Sequence, residues 1–390
     1  MREIATLLDR HADFNPEADF EAFLASVPAR WAVYLFADAD DQPIQLLCVK
    51  NLRYSLKRRL GGNETIGLSK RVNYRELVRR IRWRRVDSTF EADWLYYEAA
   101  RIVFPRTYRG MVGFRPAWFI HVNPETLFPR YVKTIDLSRS GILAGPLADK
   151  HAAARLIELL EDAFDLCRYY QILVEAPHGR ACAYKEMGKC PAPCDGSISM
   201  PQYHRMIELS AAALIDPAPA VREQESRMRA AAADLQFEAA AKIKAFADQL
   251  GQLGKGAYRH VRRLGDFQFL AVQPGPRART VKVFLISPGR IEEIIGLIAD
   301  QPAPWGAILG LALSRLAQSA ADAVDAEGAE RIGIVAHHLF SPKQRSGVLL
   351  AMETIDERSL AKACRELQRL PAAEVVEEEG VVKELQSMSE

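Results

Sequence analysis

The fold of the N-terminal region is specified by residues 31–60, WAVYLFADADDQPIQLLCVKNLRYSLKRRL. Two short apolar runs, Trp31–Phe36 and Ile44–Val49, are separated by a polar segment that contains three aspartates and a proline. This pattern predicts a β-hairpin with a polar turn. The following segment, Asn51–Leu60, predicts a basic helix that ends at Gly61-Gly62.

The flanking segments extend this hairpin into a small α/β domain over about residues 25–110. A helix leads into a third strand near Ile81–Val86, and Ser88 with Glu91 three residues later predicts a capping box at the start of another helix. We also expect residues 1–30 to be helical. Their apolar side chains predict these packing positions: Leu7, Leu8, Phe20 and Phe23.

Basic residues are concentrated in one block of this region. Residues 50–85 contain thirteen lysines and arginines against two glutamates, although the whole chain carries a net charge of only +2. Such a block favours phosphate binding, because each contacted phosphate releases a counterion; the alternative is a solvated helix face. Three aromatic residues lie among the cations and suit either base stacking or the core: Tyr54, Tyr74 and Trp83. The candidate DNA-binding residues are Lys50, Arg53, Lys57, Arg58, Arg59, Arg79, Arg80 and Arg82.

Four of the six cysteines fall within residues 167–194, with the spacing C-x14-C-x7-C-x3-C. They are Cys167, Cys182, Cys190 and Cys194. Four thiolates suit Zn²⁺ or an iron–sulfur cluster, because both accept soft sulfur ligands. Pro191 and Pro193 stiffen the loop between the last two sulfurs. The alternative is a set of buried cysteines without metal, since free cysteine is among the most buried residue types.

Length and composition limit the class of protein. A chain of 390 residues with 49% hydrophobic residues is long enough for two to four domains with their own cores. No apolar run reaches the roughly 18 residues of a membrane span, and the first residues lack the apolar stretch of a signal peptide. Six scattered cysteines do not resemble a disulfide scaffold. We therefore expect a cytoplasmic protein with reduced thiols.

Several short matches resemble one known family. Val33–Phe36, Asp38–Asp40, Lys50–Arg53 and Asp87-Ser88 look like the GIY-YIG nuclease domain of UvrC, the incision subunit of bacterial nucleotide excision repair. The cysteine string is similar to the iron–sulfur motif of that family. The resemblance implies a [4Fe-4S] cluster on the four cysteines, with Zn²⁺ as the runner-up. Cys167 lies two residues earlier than the usual position in that family.

Residues 221–253 are similar to the UVR motif that UvrC and UvrB share. Apolar residues recur there at helical spacing, and Leu235–Glu238 fits a reversal between two antiparallel helices. The resemblance implies a hairpin that docks on a UvrB-like protein; the alternative is a helical pair packed on its own domain. The usual Arg-Asp is here Lys244-Ala245. The candidate partner-binding residues are Met228, Leu235, Phe237 and Glu238.

The resemblance also implies which residues a nuclease would need. The family uses a tyrosine to activate water, an arginine and a lysine to stabilise phosphate charge, and a glutamate to hold a divalent metal ion. Only Tyr34 matches, at the first motif tyrosine. The other family positions are filled by Ala32, Gln45-Leu46-Leu47, Cys48, Ser55, Arg59 and Tyr96. We therefore expect a domain that binds DNA and does not cut it.

The C-terminal segment predicts an α+β domain. Phe267–Val272 and Val281–Ile286 form a predicted hairpin, and Ile291–Ile298 and Trp305–Asp322 are predicted helices. Residues 256–390 contain no Asp-x-x-His, so we do not expect the RNase H-like second nuclease of UvrC. His337-His338 are predicted to be structural or surface residues, because neighbours on a helix point about 100° apart.

The predicted fold class is α+β multidomain. The predicted segments are a degenerate GIY-YIG-like domain at 25–110, a linker and four-cysteine region at 111–200, a UVR helical hairpin at 201–255, a C-terminal α+β domain at 256–372 and an acidic tail at 373–390.

The predicted function is that of a DNA-binding adaptor or regulator in excision repair, with a UvrB-like partner. One alternative is an active endonuclease with a relocated metal site that uses Asp38, Asp40, Asp87 or Glu91. This alternative requires nicking that depends on Mg²⁺ or Mn²⁺ and that Tyr34→Phe abolishes. Another alternative is a nucleic-acid-binding module with a structural metal and no role in repair.

Overall fold

A computed structural model describes residues 2–61, 73–298, 305–318, 324–340 and 347–369. These residues form a mixed α+β structure with three antiparallel sheets of four strands each. The predicted α+β class is therefore confirmed. The predicted acidic tail and two residues of the basic block, Lys70 and Arg71, lie outside the described residues.

The first sheet contains the predicted hairpin. Its strands are β1 (Arg10–Asp13), β2 (Ala32–Ala37), β3 (Pro43–Val49) and β4 (Arg80–Arg85), in the order β1-β4-β2-β3. Strands β2 and β3 pair antiparallel from Ala32 opposite Val49 to Ala37 opposite Pro43. All six residues of β2 are buried, because the strand is central and its two faces are covered by helices and loops.

Five helices accompany this sheet: α1 (Arg2–Leu7), α2 (Phe20–Ser26), α3 (Leu52–Leu60), α4 (Tyr74–Leu77) and α5 (Thr89–Val103). The predicted basic helix is confirmed as α3, whose first turn is capped by the side chain of Asn51. At α5 the Ser88 hydroxyl accepts the backbone N–H of Glu91 as predicted. The Glu91 carboxylate, however, accepts the N–H of Asp87 instead of completing a capping box.

The prediction that residues 1–30 are helical is confirmed only for Arg2–Leu7 and Phe20–Ser26, and it is wrong for the segment between them. Residues 10–13 form strand β1, which pairs antiparallel with β4. The outer edge of β4 carries backbone N–H and C=O groups that need partners. Strand β1 supplies them, so sheet pairing overrides the local helical pattern.

The second sheet lies in the region predicted to be a linker and cysteine segment. Its strands are β5 (Trp118–Val122), β6 (Val132–Thr134), β7 (Ile142–Leu147) and β8 (Arg262–Arg263), in the order β6-β5-β7-β8. The helices packed with it are α6 (Lys150–Ala163), α7 (Tyr170–Leu173), α8 (Ala183–Glu186) and α9 (Met200–Ile215). Strands and helices share one apolar core, so residues 118–147 are a folded layer and not a linker.

The predicted helical pair follows as α10 (Pro217–Ala233) and α11 (Phe237–Leu250). Three residues connect the two helices, and the middle one, Leu235, has a positive φ of 58°. Helix α11 buries Ala247 and Leu250, and its Phe246 packs edge-on against Phe164, the residue that follows α6. Helix α10 has no fully buried residue, but its Ala220 and Val221 pack against the same core. Both helices thus attach the pair to the molecule.

The third sheet is C-terminal. Its strands are β9 (Phe269–Pro274), β10 (Thr280–Ser287), β11 (Arg290–Ile298) and β12 (Val348–Ala351), in the order β11-β10-β9-β12. The accompanying helices are α12 (Trp305–Gln318), α13 (Ala326–Phe340) and α14 (Glu357–Gln368). The predicted hairpin is confirmed as β9 and β10. The predicted helix from Trp305 is confirmed as far as Gln318, beyond which part of the prediction lies outside the described residues.

The helix predicted at Ile291–Ile298 is wrong, because this segment is strand β11. It pairs with β10, and Ser287 opposite Arg290 leaves only two residues for the turn. One of them, Gly289, has a positive φ of 76°, which suits a tight hairpin. A short apolar run fits helix and strand equally well, so the neighbouring strand decides.

In the described ranges, no helix is both long enough and apolar enough to span a membrane.

Candidate nucleic-acid-binding site

Tyr34, the matched nuclease tyrosine, lies in the core of the N-terminal domain. Its side chain is fully buried and packs edge-on against Phe36, with 5.1 Å between ring centroids. Its hydroxyl is 2.9 Å from the hydroxyl of Ser55, which stands where the family pattern has an arginine. Burial raises the pKa of Tyr34 to about 12. A tyrosine in this position has no contact with solvent water that it could activate.

Two of the other family positions, Cys48 and Tyr96, lie on the opposite face of the same sheet. Cys48 and Tyr96 pack in the apolar cluster between the sheet and α5. The indole N–H of Trp31 donates to the Cys48 sulfur at 3.3 Å. Burial raises the pKa of Cys48 to about 11 and that of Tyr96 to about 12. Because successive strand residues point to opposite faces, Tyr34 and Cys48 do not meet in one site.

Two of the candidate carboxylates for a relocated metal site already hold a cation of the chain. The ammonium of Lys282, on β10, is 2.8 Å from a carboxylate oxygen of Asp87 and 2.7 Å from one of Glu91. Burial raises the pKa of Glu91, and the charge of Lys282 opposes this shift. The lysine thus occupies the position between the two carboxylates.

The other two candidate carboxylates, Asp38 and Asp40, do not form a metal site with Asp87 and Glu91. One carboxylate oxygen of Asp38 accepts the backbone N–H groups of Asp40 and Gln42 at 2.9 and 2.8 Å, which closes the turn between β2 and β3. Asp40 is exposed in that turn. The four carboxylates therefore do not converge on one metal position.

The basic residues of α3 form an exposed surface. Arg53, Lys57 and Arg58 are exposed on this helix, and Tyr54 is exposed beside them. The guanidinium of Arg53 donates to the carbonyl of Val27 at 2.9 Å, and Lys57 lies 3.7 Å from Glu21. Arg53 is thus held by backbone carbonyls, whereas Lys57, in an exposed ion pair, and Arg58 remain accessible to phosphate.

The remaining predicted DNA-binding residues are engaged elsewhere. Arg80 is 2.7 Å from Asp13, and Arg82 is 2.9 Å from Asp41. Trp83 is buried, which makes it a core residue. Three more of these cations have partners within the chain. Lys50 lies over the Trp31 ring, Arg59 contacts Gln45 and Tyr74, and Arg79 donates to the Val78 carbonyl. The ion pairs of Arg80 and Arg82 neutralise positive charge that the sequence predicted to bind DNA phosphates.

The four predicted metal ligands are only partly brought together. Cys167, Cys190 and Cys194 are buried, and Cys182 is half-buried at the N-cap of α8. The Cys167 and Cys190 thiols interact, and this interaction lowers the pKa of Cys190 to about 7. The same contact raises the pKa of Cys167, and the nearby Cys194 adds to that shift. No interaction in the described ranges joins Cys182 to the other three.

Across the part of the chain that the structure describes, no three or more Cys, His, Asp or Glu side chains are arranged to hold a metal ion. The chemistry of the four sulfurs nevertheless suits a soft metal, and all six cysteines are free of disulfides. His338 is buried, with its ring nitrogen 2.9 Å from a carboxylate oxygen of Asp93, as expected for a structural residue.

The amino-acid sequence does not predict the contact between α5 and the C-terminal domain. The guanidinium of Arg331 is 2.6 Å from Glu98, and Arg101 is 2.9 Å from Glu327. Glu330 also accepts hydrogen bonds from the hydroxyls of Tyr97 and Tyr108. These partners are more than 200 positions apart, so no local pattern identifies them.

Comparison with known proteins shows what parts of this chain are similar to. Residues 117–213 match the family model described as the UvrC/Cho excinuclease middle domain. The UvrABC system protein C of Mycolicibacterium paratuberculosis is 28% identical over 294 residues, which cover 72% of this chain and 44% of that protein. The same protein of Saccharopolyspora erythraea is 28% identical over 291 residues, which cover 71% of this chain and 39% of the relative.

A third relative, UvrABC system protein C of Syntrophomonas wolfei, is 29% identical over 178 residues, or 44% of this chain and 29% of the relative. No solved structure matches the chain. The matched domain is that of an excinuclease subunit. Residues 117–213 are thus similar to the middle domain of the UvrC/Cho excinucleases, and the chain spans less than half the length of these curated relatives.

Proposed function

We propose that this protein is a cytoplasmic DNA-binding adaptor or regulator of nucleotide excision repair whose GIY-YIG-like domain does not cut DNA. The observation that carries the proposal is the state of the nuclease positions. Tyr34 is buried on Ser55, and Tyr96 stands in an apolar cluster where the family has its metal-binding glutamate. Lys282 neutralises the Asp87 and Glu91 carboxylates that an alternative metal site would need.

The DNA-binding part of the proposal rests on α3. Its exposed cations lie on one short helix without an acidic residue, and Tyr54 is exposed among them. Phosphate binding by such a surface is driven by counterion release and does not require catalytic residues. A domain that has lost its nuclease chemistry can therefore keep its affinity for DNA.

The partner in this proposal is a UvrB-like protein, and the docking element is the pair α10 and α11 as a UVR hairpin. Leu235 is 74% exposed and Phe237 is 65% exposed at the turn between the helices. Met228 is half-buried, and Glu238 is exposed beside Phe237. Large apolar side chains on a helix turn support a protein contact, because monomers seldom expose such groups together.

The cofactor in this proposal is a [4Fe-4S] cluster on Cys167, Cys182, Cys190 and Cys194, with Zn²⁺ as the second candidate. Support comes from the soft sulfur donors, from the absence of disulfides and from the direct contact of Cys167 with Cys190. When bound, the group would cross-link the loop around Pro191 and Pro193 to the start of α7. Its role would be structural.

Metal analysis tests this cofactor. After anaerobic purification we expect iron and sulfide in nearly equal amounts and a broad visible absorption, because each cubane core contains as many sulfides as irons. Cys190→Ser should lower the iron content, whereas Cys48→Ser, far from the four cysteines, should leave it unchanged. Zinc in place of iron would exclude the cluster, and metal-free protein would support buried cysteines without a cofactor.

A nicking assay tests the proposed function. The full chain, with a UvrB-like partner, lesion-containing duplex DNA and Mg²⁺ or Mn²⁺, should bind the DNA without cutting it. Tyr34→Phe should behave as the wild type, because its hydroxyl contacts only Ser55 within the core. Metal-dependent nicking that Tyr34→Phe abolishes would instead establish the relocated endonuclease.

A further inference from the structure

Two neighbouring tyrosines are exposed beside the cysteine region. Tyr169 caps the start of α7 and is 46% exposed, and Tyr170 is the first residue of that helix and is 38% exposed. Aromatic rings usually bury most of their area, so two adjacent exposed rings require an explanation. Together with Arg130 they form a surface that we call the tyrosine platform.

Arg130 supplies the charge of the tyrosine platform. Its guanidinium lies 3.9 Å from the centroid of the Tyr170 ring, a cation–π contact. Arg130 is exposed and, within the ranges that the structure describes, has no carboxylate partner. Arg168, which directly precedes Tyr169 in the chain, instead forms ion pairs with Glu161 and Asp162. Arg130 is therefore the cation of this surface that remains able to bind an anion.

The backbone below the tyrosine platform is held in place. The Cys167 thiol donates to the Tyr169 carbonyl at 3.6 Å, and the buried Tyr203 hydroxyl of α9 accepts the Cys167 N–H at 3.2 Å. On its inner side the Tyr169 ring packs against Tyr184, with 5.8 Å between centroids. A rigid support lowers the entropy that the two rings lose when they bind a ligand.

We infer that the tyrosine platform binds unpaired bases of single-stranded DNA. The bases would stack on the exposed rings of Tyr169 and Tyr170, and Arg130 would contact a backbone phosphate. Stacking of this kind accepts every base and requires that the bases are not paired. The inference rests on the proposed DNA-binding function and adds that the bound DNA is single-stranded. Helix α3 offers mainly positive charge for phosphates, whereas the tyrosine platform offers rings on which unpaired bases can stack.

Fluorescence anisotropy with the full chain tests this inference. The probes are an oligothymidylate and a duplex of the same length, at one salt concentration. Replacing both Tyr169 and Tyr170 by alanine should weaken oligothymidylate binding at least about ten-fold and leave duplex binding within about two-fold. Replacing both by phenylalanine should preserve binding, because the rings remain. Arg130→Ala should weaken oligothymidylate binding and reduce its salt slope by about one.

A variant of α3 separates this inference from the proposed function. Replacing Lys57 and Arg58 by alanine should weaken binding of both probes. If the wild type binds neither probe, the proposed DNA-binding function fails, and the inference fails with it. If the wild type binds both probes and the alanine variant at Tyr169 and Tyr170 binds oligothymidylate normally, only the inference is overturned.

Two further outcomes are decisive. If the alanine variant loses affinity for a UvrB-like protein and keeps its affinity for oligothymidylate, the platform is a protein-docking surface and the inference is wrong. If circular dichroism shows that the alanine variant is unfolded, Arg130→Ala tests the inference in its place, because Arg130 is exposed and its removal leaves the core unchanged. Unchanged oligothymidylate binding by Arg130→Ala would then overturn the inference.

Discussion

Replacing Lys282 by methionine is expected to destabilise the folded protein by about 3–5 kcal/mol, the usual cost of leaving a buried charge without its partner. Glu91 is fully buried, and the Lys282 ammonium lies between it and Asp87. The stability is measured by urea unfolding at neutral pH. The exposed Lys133 of β6 is the matched control, and Lys133→Met should leave the unfolding midpoint unchanged.

The pH dependence of this variant gives a second test of the same ion pair. Burial raises the pKa of Glu91, and Lys282 opposes this shift, so removing Lys282 should raise the pKa further. Between the unfolded value of 4.5 and the raised value, the folded state binds more protons than the unfolded state. The stability of Lys282→Met should therefore fall as pH rises through this window. The deficit relative to wild type should be smallest at low pH.

A double variant tests whether the unpaired Glu91 carboxylate causes the loss of stability in Lys282→Met. Glu91→Gln removes the buried charge while it keeps the shape of the side chain. Combined with Lys282→Met, it should recover part of the lost stability. A deficit that stays the same at every pH, or that Glu91→Gln does not reduce, would show that lost packing, and not an unpaired carboxylate, destabilises the variant.

Replacing Leu235 by alanine is expected to lower the affinity for a UvrB-like partner by about thirty-fold or more, the effect of losing an interface hot spot. The side chain is largely exposed, so the stability should change by less than about 0.5 kcal/mol. Phe237→Ala should have a similar effect. Isothermal titration calorimetry with the purified partner measures the affinity.

Leu209 provides the matched control for this prediction. It is also a leucine on a helix, and it is 59% exposed on α9, away from the turn between α10 and α11. Leu209→Ala should therefore bind the partner as the wild type does. Equal affinity of all three variants would favour a helical pair that serves only its own domain. Only if the wild type also fails to bind a UvrB-like protein would a nucleic-acid-binding module outside repair be supported.

Local patterns predicted those elements whose causes lie within a few residues. The polar turn between two apolar runs specified β2 and β3, and Asn51 and Ser88 marked the starts of α3 and α5 through their side-chain caps. The reversal near Leu235 likewise lies between α10 and α11. In each case, alternating apolar residues, a capping side chain or a short turn is sufficient, because these interactions span fewer than ten residues.

The two segments predicted as helices and found as strands share one physical cause. Residues 10–13 and 291–298 are strands because β4 and β10 offer backbone donors and acceptors along an edge. Isolated from their neighbours, both segments fit a helix as well as a strand. The choice depends on a pairing partner, and for β1 that partner lies about 70 residues later in the chain.

The sequence alone carries the family resemblance, the four-cysteine set, the basic block and the mismatch with most nuclease positions of that family. The state of the site depends on the tertiary structure: Tyr34 is a core residue, and Arg80 and Arg82 are paired with carboxylates. Lys282 reaches Glu91 across 191 positions of the chain. Residue identity is a local property, whereas burial and charge pairing depend on which distant segments the folded chain brings together.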